Sequence, residues 1–346
     1  MSRERARSLV RDLPPAYFAL VMATGIVSIA ARNLGLLAIS SGLLVVNVGA
    51  YSTLVLLTAL RALWYPRRLF GDMVDHQLGP GFLTTVAATC ILGIESLLVL
   101  GSVVVATGLL VVGVALWLGL TYTIFTAFTI KREKPPLERG ITGAWLIAVV
   151  ATQSIAVLAA LLARHWPQPV RLEFNFFALS MWSWGGMFYI WIISLIFYRY
   201  SFFAFSPRDL SPPYWINMGA MAISAMAGTR LVENTPDAPF LASLAPFLKG
   251  FTVLYWATAT WWIPMLLLLG VWRHLVRRFP LRYDPLYWGA VFPLGMYSAA
   301  SWQMTQSLDL PFLAMPARLM FIPAIAAWTL AFLGLVRRIR IERPGG

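Results

Sequence analysis

Ten apolar runs, most of them twenty or more residues long and separated by short basic or turn-forming connections, limit what this chain can become. They fall near 15–32, 36–60, 80–100, 103–130, 140–162, 174–198, 212–230, 250–272, 285–306 and 312–336. A helix of about 20 apolar residues crosses the hydrocarbon layer of a bilayer, and only a structure that satisfies its own backbone hydrogen bonds survives there. The fold class is therefore all-α and integral to the membrane. Only 12% of the residues are charged, about half the share in a soluble domain. The chain divides into a basic arm at 1–14, a ten-helix transmembrane domain at 15–337 and a tail at 338–346.

The basic residues set the orientation. An even number of spans puts both termini on one side. Twenty-one arginines and lysines then lie on the terminal side and five (Arg32, Arg164, Arg171, Arg230 and Lys249) on the other. Arg318, inside the tenth run, completes the total of 27. Positive charge collects on the cytoplasmic side of a membrane protein, so both ends and the connection at 131–139 are expected inside, in a plasma or cell inner membrane. The net charge of +13 follows from this topology and does not call for nucleic acid.

Four odd-numbered spans open on proline and an aromatic: Pro14 to Phe18, Pro80 to Phe82, Pro212 to Trp215 and Pro285 to Trp288. Proline costs nothing at a helix start, where its missing N–H has no intrahelical partner. The fifth span departs, with Pro135 and Pro136 several residues before Gly140. Each odd span is followed by an even one across a mostly short outer connection. The simplest architecture is five helical hairpins, an internal repeat of about 60 to 70 residues. A quasi-five-fold ring would put one helix of each hairpin, the odd one, at the axis.

The ninth run holds Pro293 near its centre, with Phe292 beside it and Gly289 and Gly295 on either side. Proline inside a helix deletes the hydrogen bond to the carbonyl four residues back, here Gly289. In a bilayer that loss is tolerated against protein or a water-filled cavity. Two readings stay open at this point: a kinked packing helix, or a pore-lining helix with an aromatic plug at its bend.

No catalytic set is visible. His76, His165 and His274 lie in separate connections without metal-ligand spacing, and Cys90 is the only cysteine. Neither an enzyme nor a cofactor is expected. Charges inside spans say more, because an isolated charge in hydrocarbon is costly. Glu95, Arg230 and Arg318 all fall toward the outer half. They are either a structural ion pair, Glu95 with an arginine, or an outer site that concentrates anions and carries a proton. Polar groups inside the odd spans are Thr24, Gly25 and Ser28, then Thr85 and Thr89, then Thr152 and Gln153, then Asn217 and Ser224, and finally Ser298. Each alone is interhelical glue; together they would line a neutral conduit. The even spans hold similar residues, so the contrast is weak.

The stretch Pro15 to Ser28 (PAYFALVMATGIVS) resembles the opening signature of the tellurite-resistance and C4-dicarboxylate transporter family, which includes malate permeases, sulfite efflux pumps and plant slow-type anion channels. Phe82 to Gly93 and Val291 to Tyr297 resemble its third- and ninth-helix segments, and the likeness runs in order over essentially the whole chain. The resemblance implies five hairpins with inner odd helices around a pore, a homotrimer with one pore per subunit, and small anions as the transported species. It also implies a phenylalanine gate, matched here by Phe292. Pro293 stands where some relatives have glycine. Arg230, Arg318 and Glu95 have no counterpart to carry over, and an alternative places them in the substrate path of a proton-coupled C4-dicarboxylate carrier. The expected function is passage of anions past Phe292 as a hydrophobic constriction.

Overall fold

A computed structural model describes residues 3–281 and 283–341, and over these the chain is helical throughout, with no strand. Arg282 and the last five residues of the tail lie outside the described residues. Ten long helices carry the fold: α1 (Ala19–Asn33), α2 (Leu37–Trp64), α3 (Thr84–Leu100), α4 (Val103–Ile130), α5 (Ile147–Ala163), α6 (Val170–Phe202), α7 (Ile216–Glu233), α8 (Ala245–Val271), α9 (Trp288–Ser307) and α10 (Ala314–Ile341).

Eight of these are long and apolar enough to cross a membrane; α7 and α9 are not among them. Their composition has a physical reason. Every residue of α7 from Ile216 to Thr229 is buried, as is most of α9, so other helices rather than lipid solvate them. The relaxed demand admits Asn217, Thr229, Gln303 and a proline.

Every odd helix begins with one 3₁₀ turn: Pro15–Phe18, Gly79–Leu83, Gly143–Leu146, Pro212–Trp215 and Pro285–Tyr287. The third of these lacks a proline, and Thr142 replaces it by accepting a hydrogen bond from the Ala144 N–H at 3.3 Å. The turns at the opposite end of the helices, called outer, are mostly short, the exception being the one between α7 and α8, which holds two further helical turns at Thr235–Asp237 and Pro239–Ser243. Between α3 and α4 there are only Gly101, in the left-handed region at φ 67°, and Ser102, whose hydroxyl caps Val105 at 3.4 Å.

The two helix sets differ in burial. On α4 the buried residues are Ala106, Leu110, Gly113, Trp117, Thr121, Ile124 and Phe128, a single stripe at helical spacing with the rest facing outward. Every residue of α5 is buried. Each odd helix packs on the even helix that follows it, α1 on α2 through α9 on α10. In addition α1 touches α3 and α9, α3 touches α5, α5 touches α7, and α7 touches α9.

Four of these helix pairs are closed by the same device at the end that carries the 3₁₀ turns, called inner. Arg61 at the end of α2 donates to the Arg11 carbonyl at 3.0 Å, and Lys131 after α4 donates to Val74 at 3.4 Å. Arg199 near the end of α6 donates to Ile141 at 3.3 Å, and Arg273 after α8 donates to the Leu210 carbonyl. Each acceptor lies just ahead of the odd helix of the same hairpin. The cation also sits at the negative end of its own helix dipole. Charges that the topology rule explains as orientation signals thus have a second role, as clamps.

Candidate functional site

Two small cavities lie between the five odd helices. The inner one, about 30 Å³, is walled by Ala16 and Met22 from α1 and its lead-in, Thr84 of α3, Ile147 of α5, Ile216 of α7 and Phe292 of α9. The outer one, about 10 Å³, is walled by Ile26 of α1, Ile91 of α3, Val157 of α5, Met226 and Arg230 of α7, and Met296 of α9. A water needs roughly 10–15 Å³ of such space, so neither holds more than a molecule or two. Phe292 is 1% exposed. On α9 it faces the inner cavity, and Met296, one turn further, faces the outer.

Helix α9 runs without interruption through Pro293, although at the sixth residue of the helix the proline still cannot donate to the Gly289 carbonyl. Its ring lies against Gly219 of α7, where a Cβ would stand 2.8 Å from Pro293 Cγ. Gly289 lines the inner cavity. Gly295 abuts α1, where a Cβ would come within 3.0 Å of Ile26 Cγ2. The three flanking residues therefore set how closely α9 approaches its neighbours.

The polar groups of the odd helices turn toward the even helices or their own backbone. Thr24 donates to Leu20 O at 2.8 Å and accepts from Trp328 of α10 at 3.0 Å. Ser28 donates to Ser40 O of α2 at 2.9 Å, and Gly25 faces Asn47 and Ile91. Thr85 bonds Phe82 O at 2.7 Å, while Thr89 bonds Thr85 O and Tyr51 of α2 at 2.9 Å. Thr152 accepts from Trp117 of α4 at 2.8 Å, and Gln153 donates to Trp182 O of α6 at 3.0 Å. Asn217 reaches Tyr200 of α6 at 3.4 Å, Ser224 bonds Ala220 O at 2.7 Å, and Ser298 bonds Ala317 O of α10 at 2.8 Å. None of these ten residues lines either cavity. A hydroxyl in hydrocarbon gains most from a nearby carbonyl or partner helix. The walls left for the axis are alkyl, thioether and one phenyl, apart from Thr84 at the inner cavity and Arg230 at the outer.

The three charged candidates separate. Arg230 lines the outer cavity and pairs with Glu233 at 2.9 Å. Glu233 is a hub: it also lies 3.8 Å from Arg164 and accepts hydrogen bonds from Gln303 and, at 2.8 Å, from Ser307. This latch joins the outer ends of α7 and α9. Arg318 is exposed on α10 and sits over the Trp302 ring at 5.8 Å, away from both cavities. Glu95 has no ion pair among the described residues, contrary to the expected pairing with an arginine; its partner is Asn47 of α2, at 2.7 Å. The Arg230–Glu233 half of the latch shows in the sequence as opposite charges three residues apart at a helix end, whereas Gln303 and Ser307 look like ordinary polar residues there.

The profile of the voltage-dependent anion channel family matches residues 12–336. An uncharacterised membrane protein of Mycobacterium tuberculosis is 36% identical over 151 residues, covering 44% of this chain and 76% of that protein. Two uncharacterised transporters of Methanocaldococcus jannaschii are 26% and 24% identical over 305 and 307 residues, covering 85% of each relative and 85% and 86% of this chain.

Proposed function

We propose, from the premise that this chain belongs to the voltage-dependent anion channel family, that small anions cross the membrane along the axis between α1, α3, α5, α7 and α9, with Phe292 as the constriction. The observation that carries this reading is the pair of cavities, each walled by all five odd helices, with Phe292 at the inner one and Met296 at the outer. The packing order of the odd helices supports a closed ring of five hairpins spanning the membrane ten times. In such a ring the even helices face lipid with one apolar side. An ion in an apolar throat meets a dehydration barrier while a phenyl ring prevents wetting. The purified protein in liposomes, given chloride, nitrate, sulfite and malate in turn, is expected to pass at least one of them once Phe292 is truncated. No flux of any of the four would remove the reading.

Arg230 gives the pathway its charge preference. It is the cation on the outer cavity wall, and attraction scales with the charge of the ion. Arg230→Gln removes this charge and leaves Glu233 with the exposed, more distant Arg164 at 3.8 Å as its counter-ion, so the outer cavity loses its attraction for anions. Flux of a monovalent anion is expected to fall about three-fold and that of a divalent anion about ten-fold, since doubling the charge squares the factor. Equal losses for both, with less protein in the membrane, would mean that Arg230 and Glu233 serve only to hold α7.

The orientation is part of the same proposal, with both ends in the cytoplasm. A cysteine at the exposed Lys134, with Cys90 fully buried, reports it directly. In Lys134→Cys an impermeant thiol reagent is expected to label inside-out vesicles and to leave intact cells unlabelled. Labelling of intact cells would reverse the topology and, with it, which cavity is the outer one.

A further inference from the structure

We propose that Glu95 is a proton-binding site linked to the outer cavity, so that a proton on Glu95 and an anion in the cavity each favour the other. The inference rests on the axial conduit described above and adds a control to it. Glu95 and Asn47 are both fully buried at the contact of α1, α2 and α3. Glu95 Oε2 accepts from Asn47 Nδ2 at 2.7 Å. Oε1 of Glu95 and Oδ1 of Asn47 are buried acceptors with no hydrogen-bond partner. The Ser28 hydroxyl lies within hydrogen-bonding reach of Glu95, but its proton goes to the Ser40 carbonyl at 2.9 Å. Gly25 leaves the room the pair occupies, since a Cβ there would stand 2.8 Å from Asn47 Nδ2 and 3.3 Å from Glu95 Oε2. What the cluster lacks is a donor. A proton on the carboxyl supplies it, whereas a carboxylate would be an uncompensated charge in the hydrocarbon layer.

Among the described residues no cation supplies the compensation. Helix α1 carries only Arg32, exposed at its outer end, and α2 carries Tyr51, bonded to Thr89, and Arg61, bonded to Asp72. Between Val103 and Ile130, α4 has only the outward-facing Tyr122, and α5 has no ionisable side chain. On α3 itself Cys90 is buried. The remaining charge is Arg230, across the outer cavity and tied to Glu233.

The link to anions is positional. Ile91, Ile94 and Leu98, which flank Glu95 on α3, all line the outer cavity, so Glu95 belongs to the stretch of α3 that forms that wall while its carboxyl turns to Asn47 of α2. Two like charges on the order of 10 Å apart at an interior dielectric near 20 change an occupancy about ten-fold. The coupling is reciprocal: ionising Glu95 expels the anion, and a bound anion holds the proton.

The test uses purified protein in liposomes on the Phe292→Ala background, with chloride, nitrate, sulfite and malate as probes. Flux of at least one probe is expected to fall about ten-fold as pH rises through the titration of the site. Adding Glu95→Gln, a fixed mimic of the protonated form, is expected to keep flux high and flat with pH. A Phe292→Ala protein with pH-independent flux, or a double variant with the same pH profile, overturns the proposal. Infrared difference spectroscopy of the parent protein supplies an answer that does not depend on flux. A protonated-carboxyl band present at neutral pH and abolished by Glu95→Gln supports the site, and its absence sinks it. If Phe292→Ala passes no anion, the conduit reading fails and the linkage to anions fails with it, while the band still decides whether Glu95 holds a proton.

Discussion

Phe292→Ala is expected to raise anion flux by an order of magnitude or more while the protein stays folded. The ring faces the inner cavity, and Met296, one turn on, faces the outer. Truncation removes most of a phenyl group and frees room for about three waters at about 30 Å³ each. Together with the two cavities, that is enough for a continuous water file where a dry apolar plug stood. The alternative makes the opposite prediction in both readouts. If Phe292 were simply core, deleting its side chain would leave an empty hole and cost about 3–5 kcal/mol with no new conductance. Along a conduit the new space hydrates from the cavities on either side, and most of that penalty is avoided. Phe292→Leu is expected to fall between parent and alanine, since leucine is apolar but smaller. Phe312, exposed near the outer end of α10, is the control, and Phe312→Ala is expected to leave flux unchanged. A silent, destabilised Phe292→Ala would return the residue to the core and misplace the axis.

The helices were legible in the sequence because a bilayer is an uncompromising solvent. Apolar runs and basic connections located every long helix, and proline with an aromatic marked four of the five 3₁₀ lead-ins. What could not be read was which way a side chain points. An amphipathic helix announces its buried face, as α4 does with Ala106, Leu110, Gly113 and Trp117. A helix buried on every side, such as α5, has no such stripe, and Thr152 could as well have faced an axis as Trp117. From sequence the hydroxyls are a possible lining, whereas their hydrogen bonds run to the neighbouring even helices or the local backbone. The same blindness hid Asn47 behind Glu95, because the two are far apart in sequence and meet only through helix packing. The arginine clamps were in plain view as a recurrence at the ends of α2, α6 and α8, but a topology rule had already accounted for them.

Arg199→Met is expected to be the most destabilising single change at the inner mouth, by on the order of 3 kcal/mol. The Arg199 side chain is 6% exposed and bonds Asp209 at 3.2 Å, the Ile141 carbonyl at 3.3 Å and the Tyr214 hydroxyl, with the Phe205 ring 5.3 Å from its guanidinium. Ile141 precedes the 3₁₀ turn that leads into α5, and Tyr214 lies in the turn that leads into α7. Those two lead-ins meet closely, since a Cβ on Gly143 would stand 2.6 Å from the Pro213 carbonyl oxygen, and both help wall the inner cavity through Ala144 and Pro213. Methionine keeps much of the apolar length and none of the donors, so Tyr214 and Ile141 lose a partner in a buried place. Asp209 retains some solvent, which holds the loss toward the lower end for a broken ion pair. Acid gives the diagnostic. Burial pushes the Asp209 carboxyl up, but the Ser206 hydroxyl and backbone N–H, together with Arg199, outweigh it and hold it below the usual carboxylate range. A carboxyl depressed in the folded state contributes stability above its unfolded value of about 3.9, and that contribution is lost as pH falls through the folded value. Removing Arg199 brings the carboxyl back toward its ordinary range, so the variant has less to lose in acid. Thermal unfolding in detergent should therefore show a wide gap between parent and variant at pH 7 and a narrower one at about pH 3.5. Arg199→Lys, which keeps the charge but not the planar fork, should recover part of the gap at pH 7. A gap of constant width across that range would mean that Arg199 stabilises through its packing on Phe205 and its hydrogen bonds to Tyr214 and Ile141, with no contribution from Asp209.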